Sequence, residues 1–145
     1  MALIAIALVM LVLGRLVVAG RQSQRRPGNL GVRDGKLAPC PATPNCVSDQ
    51  AGDEKQRIAP LQAASFASLK DLVRRQDRTT VVSETETYLH VEVRSALFKF
   101  VDDLEVLQGD GVAHVRSASR AGKSDLGVNR RRVEAIRAQL AVPEP

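Results

Sequence analysis

Residues 2–19, ALIAIALVMLVLGRLVVA, carry a single charge, Arg15. Eighteen residues rising ~1.5 Å each make a helix of ~27 Å, close to the ~30 Å hydrocarbon core of a bilayer. Arg15 lies near the end of the run, where its long stem lets the guanidinium reach the interface. A cleaved signal peptide is the competing reading. It needs a basic leading region, and only the α-amine precedes the apolar run. Val17-Val18-Ala19 is a weak cleavage site, and no cysteine stands nearby to carry a lipid. An uncleaved membrane anchor over residues 1–20 is therefore expected, followed by one domain's length of chain.

The charge follows the same division. Arg15, Arg21, Arg25, Arg26, Arg33 and Lys36, less Asp34, account for the whole net charge of +5, which leaves the rest of the chain neutral. A nucleic-acid binder needs Lys and Arg clustered on the folded part. With no Trp, one Tyr and three Phe there is also no platform for base stacking. No nucleic-acid partner is expected.

Orientation pulls two ways. Arg21, Arg25 and Arg26 just after the span place the domain in the cytoplasm by the positive-inside rule. Cys40 and Cys46, separated by Pro-Ala-Thr-Pro-Asn, argue for an oxidising compartment if they pair. A disulfide is the reading taken here. Two free thiols or two metal ligands are the alternatives, and a zinc site would have to recruit His90 and His114 or carboxylates.

Residues 21–37 are polar and basic with Gly and Pro, which reads as a flexible linker. Residues 38–142 then form a single domain, with 143–145 as a tail. Phe66, Leu69 and Val73, with Leu72 beside them, make an apolar stripe that predicts a helix over 63–76. Period-two runs predict strands over 79–84, 88–95, 101–107 and 111–119. Val133, Ile136 and Leu140 predict a last helix over 128–141, capped by Asp125 or Gly127. Gln108-Gly109-Asp110-Gly111 is a hairpin signal. With Gly109-Asp110 as its loop, Leu104 faces Val115, Val106 faces Ala113, Asp103 faces Arg116 and Glu105 faces His114. The expected fold is α+β: an antiparallel sheet of about four strands with two helices packed on one face.

The other face would carry His90, Glu92, Arg94, Asp103, Glu105, His114 and Arg116. Histidines and carboxylates on one sheet suit metal binding or acid–base chemistry. A solvated surface of opposite-charge pairs explains the same residues, and is preferred because the register pairs them. His90-Val-Glu92 matches part of the zinc-deaminase signature, but the cysteines that chemistry needs would have to lie downstream. Ser117-Ala-Ser-Arg-Ala-Gly122-Lys123-Ser124 resembles a phosphate loop without its first glycine. A looser reading survives: Ser117, Ser119, Arg120, Lys123, Asn129 and Arg130 lie around a helix N-terminus and suit a carboxylate or phosphate. A plainly capped helix start is the alternative. No H-E-x-x-H, G-x-S-x-G or C-x-x-C occurs. No catalytic residue is assigned, and no cofactor or metal is expected.

Three stretches taken together are similar to a bacterial domain-of-unknown-function family, numbered 1499. They are Cys40-Pro-Ala-Thr-Pro-Asn-Cys46-Val-Ser, the run from Tyr88 through Phe98 to Asp103, and the run from His114 through Arg120 to Arg130. The resemblance covers Leu37 to Leu140. It implies an extracytoplasmic domain, since members often carry an N-terminal signal, lipoprotein anchor or membrane span, but it implies no activity. Lys123 departs from the aromatic residue often found there in the family, which weakens the phosphate-loop reading further.

The function expected is therefore a membrane-tethered envelope domain, periplasmic or extracellular, that binds an unknown protein or a small anionic ligand without catalysis. The alternatives are a small envelope enzyme using His90 or His114 with Glu92, Asp102 or Asp103, and a structural module of a membrane complex.

Overall fold

The computed structural model describes residues 1–142; the expected tail, 143–145, lies outside them. The elements run α1 (Ala2–Gln22), β1 (Val32–Arg33), β2 (Lys36–Leu37), β3 (Cys46–Ser48), α2 (Phe66–Arg74), β4 (Thr79–Glu84), β5 (Tyr88–Arg94), β6 (Val101–Gln108), β7 (Ala113–Ser119) and α3 (Val128–Leu140). The α+β architecture is the one expected. The sheet has five strands rather than four, in the order β3-β7-β6-β5-β4, every neighbouring pair antiparallel. The added strand is β3, in a stretch whose prolines make it look irregular. Residues 46–48 lie beyond those prolines and pair with Ala118, Ser117 and Arg116.

Helix α2 starts with its apolar stripe at Phe66 rather than at the expected residue 63, because Ser65 caps it. The Ser65 hydroxyl accepts the Ser68 amide at 3.0 Å, and the Ser68 side chain returns to the Ser65 amide, a reciprocal cap. At α3 Gly127 takes the cap position at φ +78. The capping atoms belong to Asp125, whose carboxylate accepts the amides of Gly127 at 3.0 Å and Asn129 at 2.8 Å. Both helices pack on the face formed by Leu89, Val91 and Val93 of β5, Leu104 and Val106 of β6, and Val115 of β7. Leu69, Val73, Val133 and Ile136 meet that face and are fully buried.

The β6–β7 register differs from the expected one by two residues. Val106 faces Val115, Leu104 faces Ser117, and Glu105 faces Arg116. The loop is therefore Gly109–Val112, closed by the Gly109 amide donating to the Val112 carbonyl at 2.9 Å, with Gly111 at φ +73. Side chains repeat every two residues along a strand, so a slip of two keeps every residue on its face. Apolar matching alone does not separate the two registers. Ala113 is also anchored from outside the hairpin, by mutual backbone bonds with Leu61 at 2.8 and 2.9 Å.

Helix α1 is long and apolar enough to cross a membrane, with a mean hydropathy of 2.7 over its best window and none of that window buried against the rest of the chain. A membrane span and a signal sequence share those properties. The segment that follows does not behave as its composition suggests. Residues 23–37 form a strap, bonded across the polar face of the sheet. Gly20 packs so closely on the Phe98 carbonyl that a Cβ there would sit 2.2 Å from its oxygen. The buried Ser23 hydroxyl donates to Gly20 and accepts the Val101 amide. Asp34 and Gly35, both at positive φ, turn β1 into β2. Leu37 ends the strap in a small apolar cluster with Tyr88 and Leu107.

Candidate functional site

Strand alternation puts Tyr88, His90, Glu92 and Arg94 of β5 on the face away from the helices. Asp103, Glu105 and Leu107 of β6 and His114, Arg116 and Ala118 of β7 join them. The expected solvated surface is not there. His90, Glu92, Asp103, Glu105 and Arg116 are all buried, Glu105 completely. The strap and the Cys40–Cys46 loop, closed by a disulfide, lie over them. Ionised groups leave water only when they are paired and hydrogen-bonded, and these form two linked groups.

The first group centres on Arg120. Its Nε donates to Asp103 Oδ2 at 2.7 Å, and its Nη2 reaches Asp103 Oδ1 at 2.6 Å and Glu92 Oε1 at 2.8 Å. His90 Nε2 shares Asp103 Oδ1 at 2.7 Å. Arg26 of the strap and Arg94 donate to the two oxygens of Glu92. Burial pushes the Asp103 and Glu92 carboxyls up, but the guanidiniums outweigh it and hold both below the usual carboxylate range. Burial likewise favours neutral Arg120, and the two carboxylates reverse that. In the second group Glu105 accepts from the Tyr88 hydroxyl at 2.7 Å, from Arg116 Nη1 at 3.1 Å, and from the Gly31 amide of the strap at 2.8 Å. Burial, then the bond to Glu105, pushes the Tyr88 hydroxyl far up, so it stays a donor.

The cross-strand partners thus differ from those expected. Arg116 pairs with Glu105 rather than Asp103. His114 turns to Asp49, its Nδ1 at 2.7 Å from Oδ2, while the other oxygen of Asp49 accepts the Val115 amide. The two-residue shift in register moves every such pair. The residues expected to gather an anion around α3 are divided between the faces. Ser117, Ser119 and Asn129 bond one another on the helix side. Arg120 lies on the strap side. Arg130 donates to the carbonyls of Lys55 and Arg57, and Lys123 is exposed. Asp102, a candidate catalytic carboxylate, points to the helices and pairs with Arg132 at 2.6 Å.

One recess opens into the buried network. It measures about 390 Å³ and lies between the strap, the disulfide loop and β7, walled by Pro27, Cys40, Asp103, Arg116, Ser119 and Arg120. The Nε of Arg116 is buried and has no hydrogen-bond partner among the described residues. Across the two groups, four guanidiniums (Arg26, Arg94, Arg116, Arg120) pair with three carboxylates (Glu92, Asp103, Glu105). The balance of these groups is positive. Among the described residues no three His, Cys, Asp or Glu side chains gather as a metal site. Sequence reasoning missed Arg26, Gly31 and Asp49, whose partners lie 66, 74 and 65 residues away. The Asp34-Gly35 pair was the readable sign that the linker turns back on itself.

A family model described as "Protein of unknown function (DUF1499)" matches residues 36–140. No curated protein matches the chain.

Proposed function

The chain belongs to the DUF1499 family of proteins of unknown function, and on that premise we propose a membrane-tethered, non-catalytic domain that binds a small anionic ligand beside Arg116. The observation that carries the reading is Arg116, which lines an open recess beside Arg120 and whose buried Nε has no hydrogen-bond partner among the described residues. A buried donor without a partner costs about 1–3 kcal/mol, a cost that a carboxylate or phosphate oxygen would remove on reaching it from the recess. Catalysis has less support. His90 and Asp103 form a close pair, but His90 does not line the recess, whereas Arg116 does.

The test is thermal unfolding of the full chain in mild detergent with inorganic phosphate or succinate, against sodium chloride at equal ionic strength. A ligand at 100 times its dissociation constant adds about 2.7 kcal/mol to the folded state. The parent is expected to gain in melting temperature with one of the two anions. Arg116→Lys, which keeps the charge and loses the Nε, is expected to gain nothing beyond the salt control. Equal gains in parent and variant would refute the site.

We place the domain on the periplasmic or extracellular side. Support comes from the Cys40–Cys46 disulfide, since such bonds persist in oxidising compartments, against the basic flank of α1. Alkaline phosphatase fused after Pro145 is expected to be active. An inactive fusion, with a cytoplasmic reporter active at the same point, would reverse the orientation.

A further inference from the structure

The apolar run that α1 offers to a bilayer ends at Ala19, and the next residue, Gly20, is where the helix meets the domain. The contact is with the β5–β6 loop, residues 95–100. Gln24 fastens that loop by donating to the Lys99 carbonyl at 2.8 Å, and Arg94 donates in turn to Gln24. The loop is therefore clamped to the point where a spanning helix leaves the hydrocarbon. A single exposed Leu is unremarkable on a soluble surface. Here Leu97 is 78% exposed at the tip of this loop. Beside it lie Phe98 and Phe100, half-buried, with ring centroids 6.1 Å apart. Lys99 is exposed between them. Apolar side chains flanking a cation, held level with the end of a span, match the chemistry of the headgroup–acyl boundary, where long cationic stems snorkel to phosphate.

We propose that the β5–β6 loop is a second membrane contact, in which Leu97 and Phe98 enter the bilayer beside α1 and Lys99 meets lipid phosphate. The inference rests on the reading of α1 as a retained span. It gives the loop a purpose apart from ligand binding: two points of attachment orient the domain on the membrane, where one helix alone would let it swivel.

The chain has no Trp, so each introduced Trp reports alone. Three full-length variants, Leu8→Trp, Leu97→Trp and Asp110→Trp, go into vesicles of phosphatidylcholine and phosphatidylglycerol, with and without acyl-chain-brominated phosphatidylcholine. Bromine quenches only a Trp that reaches the acyl chains. Asp110 is exposed in the β6–β7 loop, beyond the far end of β6, whose Gln108 lies about 23 Å from Val101 at ~3.3 Å per residue. The expected result is that Leu8→Trp and Leu97→Trp lose most of their emission while Asp110→Trp keeps its own. Ala96→Trp, in the same turn, takes the place of Leu97→Trp should that variant misfold. Quenching of Leu8→Trp with Leu97→Trp as bright as Asp110→Trp would overturn the second contact and leave the span standing. An unquenched Leu8→Trp would remove the span, and this inference with it.

Discussion

Arg120→Met is expected to cost the folded protein about 3–5 kcal/mol at neutral pH, the usual effect of removing one partner from a buried ion pair. The Arg120 side chain is 2% exposed and makes two bonds to Asp103 and one to Glu92. Methionine fills much the same space, leaves Asp103 without its main donor and takes from Glu92 one of three. Arg120→Lys is expected to recover only part of the loss, because one ammonium cannot reproduce the planar fork. The pH dependence identifies the mechanism. Asp103 and Glu92 have depressed folded pKa values. Their contribution is therefore fully present above the unfolded carboxylate range, ~3.9–4.3, and is lost as pH falls through the folded values below it. The gap between parent and Arg120→Met in denaturant melts followed by circular dichroism should be wide at pH 7 and shrink progressively as pH falls below about 4. A gap independent of pH would mean that Arg120 acts by packing alone.

Leu104→Asp is expected to abolish folding. Leu104 is 1% exposed, at the centre of the helix-facing side of β6. Its burial is worth ~1.5–3 kcal/mol. An unpaired carboxylate in its place adds a desolvation cost of several kcal/mol more. Together these approach or exceed the ~5–15 kcal/mol net stability of a typical domain. Leu104→Met, which conserves volume, should fold with a loss under about 1.5 kcal/mol. A soluble, cooperatively unfolding Leu104→Asp protein would mean that the sheet faces are assigned the wrong way round.

Periodicity made most of the fold legible. Leu89, Val91 and Val93 alternate with His90 and Glu92, so the apolar and polar faces of β5 could be named before any pairing was known. The stripes of α2 and α3 likewise said which side of the sheet the helices cover. These are local properties, set by the geometry of one strand or one turn. The apolar length of residues 2–19 is of the same kind, since composition and rise per residue are enough to measure it against a bilayer.

What the local pattern leaves open is everything that depends on contact between distant segments. The β6–β7 register is one case, because a slip of two residues preserves both faces, and the observed one goes with the Gly109–Val112 turn bond and the cross-strand Arg116–Glu105 pair. The state of the polar face is another. Arg26 and Gly31 belong to a stretch whose composition reads as a solvated linker, and nothing within that stretch says that Glu92 and Glu105 will take their donors. The candidate site follows from the same cause. Ser119 and Arg120 are adjacent in sequence, yet one faces Asn129 and the other Asp103. The sequence by itself determined which residues are polar, where the three helices and four strands of the main sheet run, and which faces are apolar. Tertiary structure alone decided that the charged residues lie beneath a strap, because burying a charge requires a partner and most of these partners, such as Arg26 for Glu92, lie on other segments of the chain.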